Sequence, residues 1–166
     1  MNIKISDNFL PLEIFNEFTK HAISSPHFVG VGHTAYTTEA YNNNFAEQQM
    51  QAIMFQRYIN SCEVSDCYLH LEPQIKIIHE LLQIKRLWLM RLNCTFGQKE
   101  RYQGAWHIDN SWSKYLQEHG KTCILYLNSN NGGTQFKDGP FVKSEANRCV
   151  IAPTTAVHAG LSLIHI

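Results

Sequence analysis

The sequence predicts an α+β domain with a β-sandwich or barrel core. Helical periodicity is confined to the first half of the chain. After Lys85 come short β-branched and aromatic runs separated by turn signals. With 166 residues, 44 % of them apolar, there is material for one core and little room for a second. The expected organisation is a single domain over 1–166. About 1–85 would form a helical N-terminal layer and about 86–166 the β core.

The first predicted element is a helix from Pro11 to Ala22. Asp7 or Asn8 can cap an early start, Pro11 suits a first turn, and Leu12, Phe15, Phe18 and Ala22 share one face. Ser25 to Asn44 is rich in Gly, Thr, Tyr and Asn and reads as loop with one short strand. The period of Phe45 to Asn60 fits a helix and an extended segment equally. A second helix is expected from Pro73 to Lys85, with Ile75, Ile78, Leu81 and Leu82 as its apolar stripe. Strands are expected at Arg86 to Asn93, Ala105 to Asn110, Thr122 to Asn128, Thr134 to Phe136 and Arg148 to Ala152. Asn42 to Asn44 and Asn128 to Asn131 read as loops. Gly132-Gly133, following two asparagines, reads as a tight turn and not as a phosphate cradle.

Charge narrows the function classes. Lys+Arg and Asp+Glu number 14 each, so the net charge is zero. That balance argues against a dedicated nucleic-acid binder and against a polybasic membrane anchor. No apolar run approaches the roughly 20 residues that span a bilayer, and the N-terminus lacks the apolar region of a signal peptide. The five cysteines are scattered and odd in number, which suits free thiols in a reducing compartment, so a cytoplasmic location is expected. Cys62 and Cys67 are close in sequence but lack the second pair of a zinc site. The sequence leaves the oligomeric state open.

The segment that points to chemistry is Trp106-His107-Ile108-Asp109-Asn110. On a strand, residues two apart face the same side, so His107 and Asp109 can present a nitrogen and an oxygen to one point. His158, after a short apolar segment and before Ala159-Gly160, is the candidate third ligand. Two histidines and one carboxylate form the facial triad of non-haem Fe(II) oxygenases, whose remaining coordination positions admit cosubstrate and dioxygen. A lone His-x-Asp is a weak signal, since such pairs often serve as strand ion pairs or turn caps. Trp106 and Trp112 suit core or rim packing more than a substrate groove. Asn110 and Ser111 fit turn chemistry or contact with substrate equally. His21, His27, His33 and His79 read as ordinary packed or solvated side chains.

The order of pieces from Ala105 to Gly160 is more specific. His107-Ile108-Asp109 is followed by Thr122-Cys123-Ile124-Leu125-Tyr126-Leu127-Asn128. Next come Gly132-Gly133-Thr134-Gln135-Phe136 and, last, Val157-His158-Ala159-Gly160. This third of the chain resembles the prolyl-4-hydroxylase-like branch of the Fe(II)/2-oxoglutarate-dependent dioxygenases. The resemblance implies a double-stranded β-helix, a distorted jelly-roll, behind N-terminal helices. It implies iron held by His107, Asp109 and His158, and 2-oxoglutarate bound through Tyr126, with ascorbate as a candidate reductant. The implied reaction hydroxylates an unactivated C–H bond, with peptidyl or free proline as a candidate target, and releases succinate and CO2. A carboxylate at 109, where a smaller residue would admit halide, favours hydroxylation. The implied partner is a small-molecule or peptide substrate, with no nucleic acid and no membrane.

The family also places an Arg or Lys roughly ten residues after the distal histidine, as an ion partner for 2-oxoglutarate. The sequence ends before that position, at Ile166, and Arg148 does not match it. Loss of such a charge-assisted pair costs on the order of 2–4 kcal/mol of cosubstrate affinity. The expectation is therefore a chain truncated before its last core strand, with Leu161 to Ile166 resembling translated adapter sequence. Two rival readings keep the same residues. One is a Zn-dependent hydrolase using the triad, which lacks an obvious general base. The other is a non-catalytic, cupin-like binding module in which the His-x-Asp is structural.

Overall fold

A computed structural model describes residues 2–24, 28–31, 48–58, 60–95, 103–109 and 113–161. The helices are α1 (Leu12–Ser24), α2 (Asp66–His70), α3 (Glu72–Leu82) and α4 (Lys114–His119). The strands are β1 (Lys4–Ser6), β2 (Phe28–Val31), β3 (Gln48–Arg57), β4 (Cys62–Val64), β5 (Leu89–Thr95), β6 (Lys121–Leu125), β7 (Gly133–Phe136), β8 (Phe141–Lys143), β9 (Cys149–Pro153) and β10 (His158–Leu161). The pairings β1–β9, β9–β6, β10–β7, β7–β8, β2–β3 and β3–β4 are antiparallel, so the α+β class holds. Among the described residues, no helix is long and apolar enough to cross a membrane.

The described residues fall into two compact units. One comprises those of Leu10–Gly32 and Gln48–Cys94. Its α1 buries Phe15, Phe18 and Ala22 of the predicted face, whereas Leu12, at the helix's first position, is 69 % exposed. Its α3 begins with a proline in the first turn and buries Ile75 and Ile78. Gln83, in the left-handed region at φ 51°, ends α3 at Leu82, short of the predicted Lys85, and the Ile84 N–H donates to the His79 carbonyl there; Leu81 of the predicted stripe is exposed. The ambiguous stretch from Phe45 to Asn60 is strand over Gln48–Arg57. β3 pairs with β2, β4 and β5 and buries Met54 and Phe55. The short helix α2 starts where the Ser65 hydroxyl accepts from the Tyr68 N–H.

The other unit comprises the described residues of Met1–Phe9 and Thr95–Ile166 and holds the candidate site. It contains two three-stranded antiparallel sheets, ordered β1-β9-β6 and β10-β7-β8. Both sheets feed one apolar cluster. Phe136 and Val142 come from the second sheet and Val150 and Ala152 from the first, with Ala156 beside them and Ile3, Ile124 and Tyr126 packed against it. The two-residue strand period explains this. Thr122 and Ile124 on β6 pair with Ala152 and Val150 on β9, and all four share the inner face. Gly133 follows the Asn-rich turn, where Asn130 Oδ1 accepts from the Gly132 N–H at 2.8 Å. A Cβ at Gly133 would collide with the Val142 carbonyl oxygen of β8, so only glycine permits this approach.

The run Ala105 to Asn110 differs from the strand expected of it. Among its described residues only His107 bridges β10, at His158, after a separate bridge at Gln103–Leu161, and the chain then turns at Asp109. β10 is therefore paired on both sides, with β7 along one edge and with 103–107 along the other. Asn110, Ser111, Trp112, Asn42 to Asn44, His27, His33 and the tail from Ser162 lie outside the described residues.

Candidate metal centre

His107 and His158 sit directly opposite each other. The His107 N–H donates to the His158 carbonyl at 3.0 Å, and the His158 N–H returns a bond to the His107 carbonyl at 2.9 Å. Directly opposed residues on antiparallel segments project from the same face. The two imidazoles accordingly lie with centroids 4.4 Å apart at 51°. This juxtaposition is made by main chain and does not depend on the side chains it positions.

Each ring is also fixed in rotation. His107 Nδ1 lies 3.0 Å from the Ala105 carbonyl oxygen, and His158 Nδ1 lies 2.8 Å from that of Ala156. A carbonyl only accepts, so Nδ1 carries the hydrogen in both rings, and in the neutral imidazole the lone pair falls on Nε2. Metal-binding histidines commonly donate their second ring N–H to such an acceptor, which holds the ring at a set angle and tautomer.

Asp109 completes the group from the turn beyond His107. Its Oδ2 lies 3.7 Å from His158 Nε2, beyond direct hydrogen-bond range, and accepts from Thr122 Oγ1 at 2.9 Å. One ligand atom from each of His107, Asp109 and His158 falls within 4.8 Å of the other two. His158 is 7 % exposed and its ring packs 5.7 Å from that of Phe136, so the apolar cluster supports the site. His107 and Asp109 are half-buried.

This donor set fits a divalent transition ion. Two neutral nitrogens and one carboxylate leave most of the ion's charge uncompensated, and three protein ligands leave positions open to other molecules. Donors at about 2.1 Å from a shared ion lie roughly 3 Å apart in a facial arrangement. Small side-chain rotations bring the observed group to that spacing.

Sequence reasoning singled out the three ligands but missed Thr122. Its signal was nonetheless present, because strand alternation puts Thr122 on the inner face with Ile124. Thr122→Val keeps the β-branched shape and deletes the hydroxyl. It is expected to weaken Co(II) binding about 10- to 100-fold, as loss of an outer hydrogen-bond partner commonly does. Titration of metal-free protein checks this, and unchanged affinity would contradict the role.

Tyr126 lies just beyond β6, packed against the apolar cluster. Its hydroxyl is 2.7 Å from Thr134 Oγ1 and 3.3 Å from the Val142 carbonyl oxygen. Burial pushes its phenol above the ordinary value, so it remains a protonated donor at neutral pH. Arg148 pairs in a two-pronged contact with Asp7, at 2.5 Å from Nε to Oδ1 and 3.1 Å from Nη2 to Oδ2. That guanidinium holds the Asp7 carboxyl below its ordinary value. The pair ties the segment before β9 to the chain's start. Among the other histidines, His21 Nδ1 and His70 Nε2 meet at 3.1 Å on the other unit. Trp106 is half-buried.

The chain matches no protein-family model and no curated protein sequence. The site therefore has to be read from its own geometry.

Proposed function

We propose that this chain is an Fe(II)- and 2-oxoglutarate-dependent oxygenase domain that hydroxylates a C–H bond of a small-molecule or peptide substrate, proline among the candidates. The observation that carries the reading is the convergence of His107, Asp109 and His158, with both imidazoles turned by backbone carbonyls so that Nε2 is the ligating atom. The four sequence pieces in family order add to it. So does the pair of antiparallel sheets with one shared cluster, which suits a double-stranded β-helix.

Bound by these three residues, ferrous iron would supply the redox chemistry that couples decarboxylation of 2-oxoglutarate to hydroxylation. The protein's own contributions are positional. The backbone bridge between 107 and 158 sets the spacing of the two rings, and Thr122 orients the carboxylate of Asp109. The apolar cluster beneath His158 keeps water from that side of the site. Tyr126 supplies a neutral phenol donor for a cosubstrate carboxylate, in competition with Thr134 for the same proton.

Tyr126→Phe is expected to raise the KM for 2-oxoglutarate about 10- to 100-fold, the equivalent of a hydrogen bond to a charged group. A steady-state assay of succinate formation reads it. An equal KM in both proteins would remove Tyr126 from the site.

Anaerobic Fe(II) and 2-oxoglutarate test the reading as a whole. Together they should produce a weak visible charge-transfer band that His107→Ala abolishes. Succinate release should follow on admission of air. Zinc in the purified protein, with hydrolytic activity and no response to 2-oxoglutarate, would overturn the proposal.

A further inference from the structure

Cys123 on β6 and Cys149 on β9 lie with their sulfurs 3.3 Å apart, on the face of their sheet turned away from the apolar cluster. The register makes them diagonal neighbours, because Cys123 opposes Ile151 and Cys149 opposes Leu125. Cys123 is exposed, whereas Cys149 is 1 % exposed and has Ser6 of β1 on its other side. Both are free thiols in the structure. We propose that this pair is a redox modification site, oxidised by a hydroperoxide to a reversible disulfide that links β6 to β9.

The two sulfurs need to approach by only about 1.3 Å to reach the bond length of a disulfide. Diagonal neighbours on antiparallel strands stand about 7–8 Å apart at Cα, at or beyond the upper end of the span a disulfide bridges. The link therefore forms with a small strand shift, and a strained bond of this kind is readily reduced again. The Cys123 thiol donates toward Cys149 and holds the Cys149 thiol below its ordinary value. The same contact pushes the Cys123 thiol up, so Cys123 keeps the shared proton at rest and passes it to Cys149 as the exposed Cys123 sulfur attacks the oxidant.

The Cys123 sulfur attacks the hydroperoxide as its proton moves to Cys149. The O–O bond breaks, an S–O bond forms, and the departing oxygen takes a proton to leave as water or an alcohol. Cys149 then attacks the Cys123 sulfur, its thiol proton goes to the departing oxygen, and water leaves as the S–S bond forms. The two sulfurs lose two electrons and the peroxide bond gains them.

Peptide mapping tests the site. The reduced full chain is exposed to hydrogen peroxide, unfolded, capped with N-ethylmaleimide and digested with trypsin. Cleavage at Lys121, Lys137 and Arg148 puts the two cysteines on separate peptides. The expected product is those two peptides joined, two hydrogens short of their summed mass, and separable by dithiothreitol. It should predominate over every other cysteine pairing. Cys123→Ser, a change at an exposed position, should eliminate it and leave Cys149 fully capped, so the test does not depend on replacing the buried partner. The proposal is overturned if Cys123 and Cys149 are both still capped at a peroxide dose that oxidises the exposed Cys62. It is also overturned if Cys123 ends as a sulfinic acid without a link, or if the link joins two copies of the chain.

Discussion

Alanine at His107, and separately at Asp109, is expected to abolish stoichiometric binding of Fe(II) or Co(II) to the metal-free protein, read by anaerobic calorimetry. Losing an outer-sphere partner costs about 10- to 100-fold in affinity, and losing one of only three protein ligands costs more. These two residues are cleaner probes than His158, since both are half-buried whereas His158 packs into the apolar cluster. The contacts that pair residue 107 with residue 158 are main-chain hydrogen bonds, so truncating the imidazole leaves the bridge in place. The fold should survive while the metal is lost, and circular dichroism of the same samples separates the two effects. A variant that binds metal as the parent does would show that the convergence of these side chains is structural.

Phe136→Ala is expected to destabilise the protein by about 3–5 kcal/mol, the usual cost of emptying a buried aromatic site. Phe136 is 1 % exposed and packs among Val142, Val150, Ala152 and Ala156, residues drawn from both sheets of its unit. Removing the ring takes away the part of the core that the two sheets share. Phe141, five residues on and 39 % exposed on β8, serves as the control, and its alanine variant should cost less than about 1 kcal/mol. Because the Phe136 ring also lies 5.7 Å from that of His158, its loss should weaken metal binding as well. Urea titrations give the first quantity and metal titrations the second. Equal stability losses for Phe136→Ala and Phe141→Ala would contradict the placement of the core.

What the sequence reveals follows the range of the forces involved. α1 and α3 are legible because Phe15, Phe18, Ala22, Ile75 and Ile78 repeat at helical spacing over several turns. α2 and α4 are too short for periodicity, and their only local marks are the capping hydroxyls of Ser65 and Ser113. β6, β7 and β9 are visible as short β-branched and aromatic runs. β10 is not, since His158-Ala159-Gly160 has little intrinsic strand preference and is held by pairing on both edges.

The candidate site shows the same division. The His-x-Asp spacing and the distal histidine are legible, but the reason they meet is partly different from the one the spacing suggests. Asp109 reaches the others from a turn, and His107 reaches His158 through a backbone bridge. Thr122 was within reach of simple strand alternation. The proximity of Cys123 to Cys149 was not, because it depends on the register between β6 and β9, which no local pattern encodes.

The most direct test is a crystal of the full chain loaded anaerobically with Fe(II) and examined at the iron absorption edge. The account predicts a single anomalous peak bonded to Nε2 of His107, Nε2 of His158 and the carboxylate of Asp109. A peak at any other group of side chains, or a His158 imidazole turned away from the His107–Asp109 pair, would contradict it.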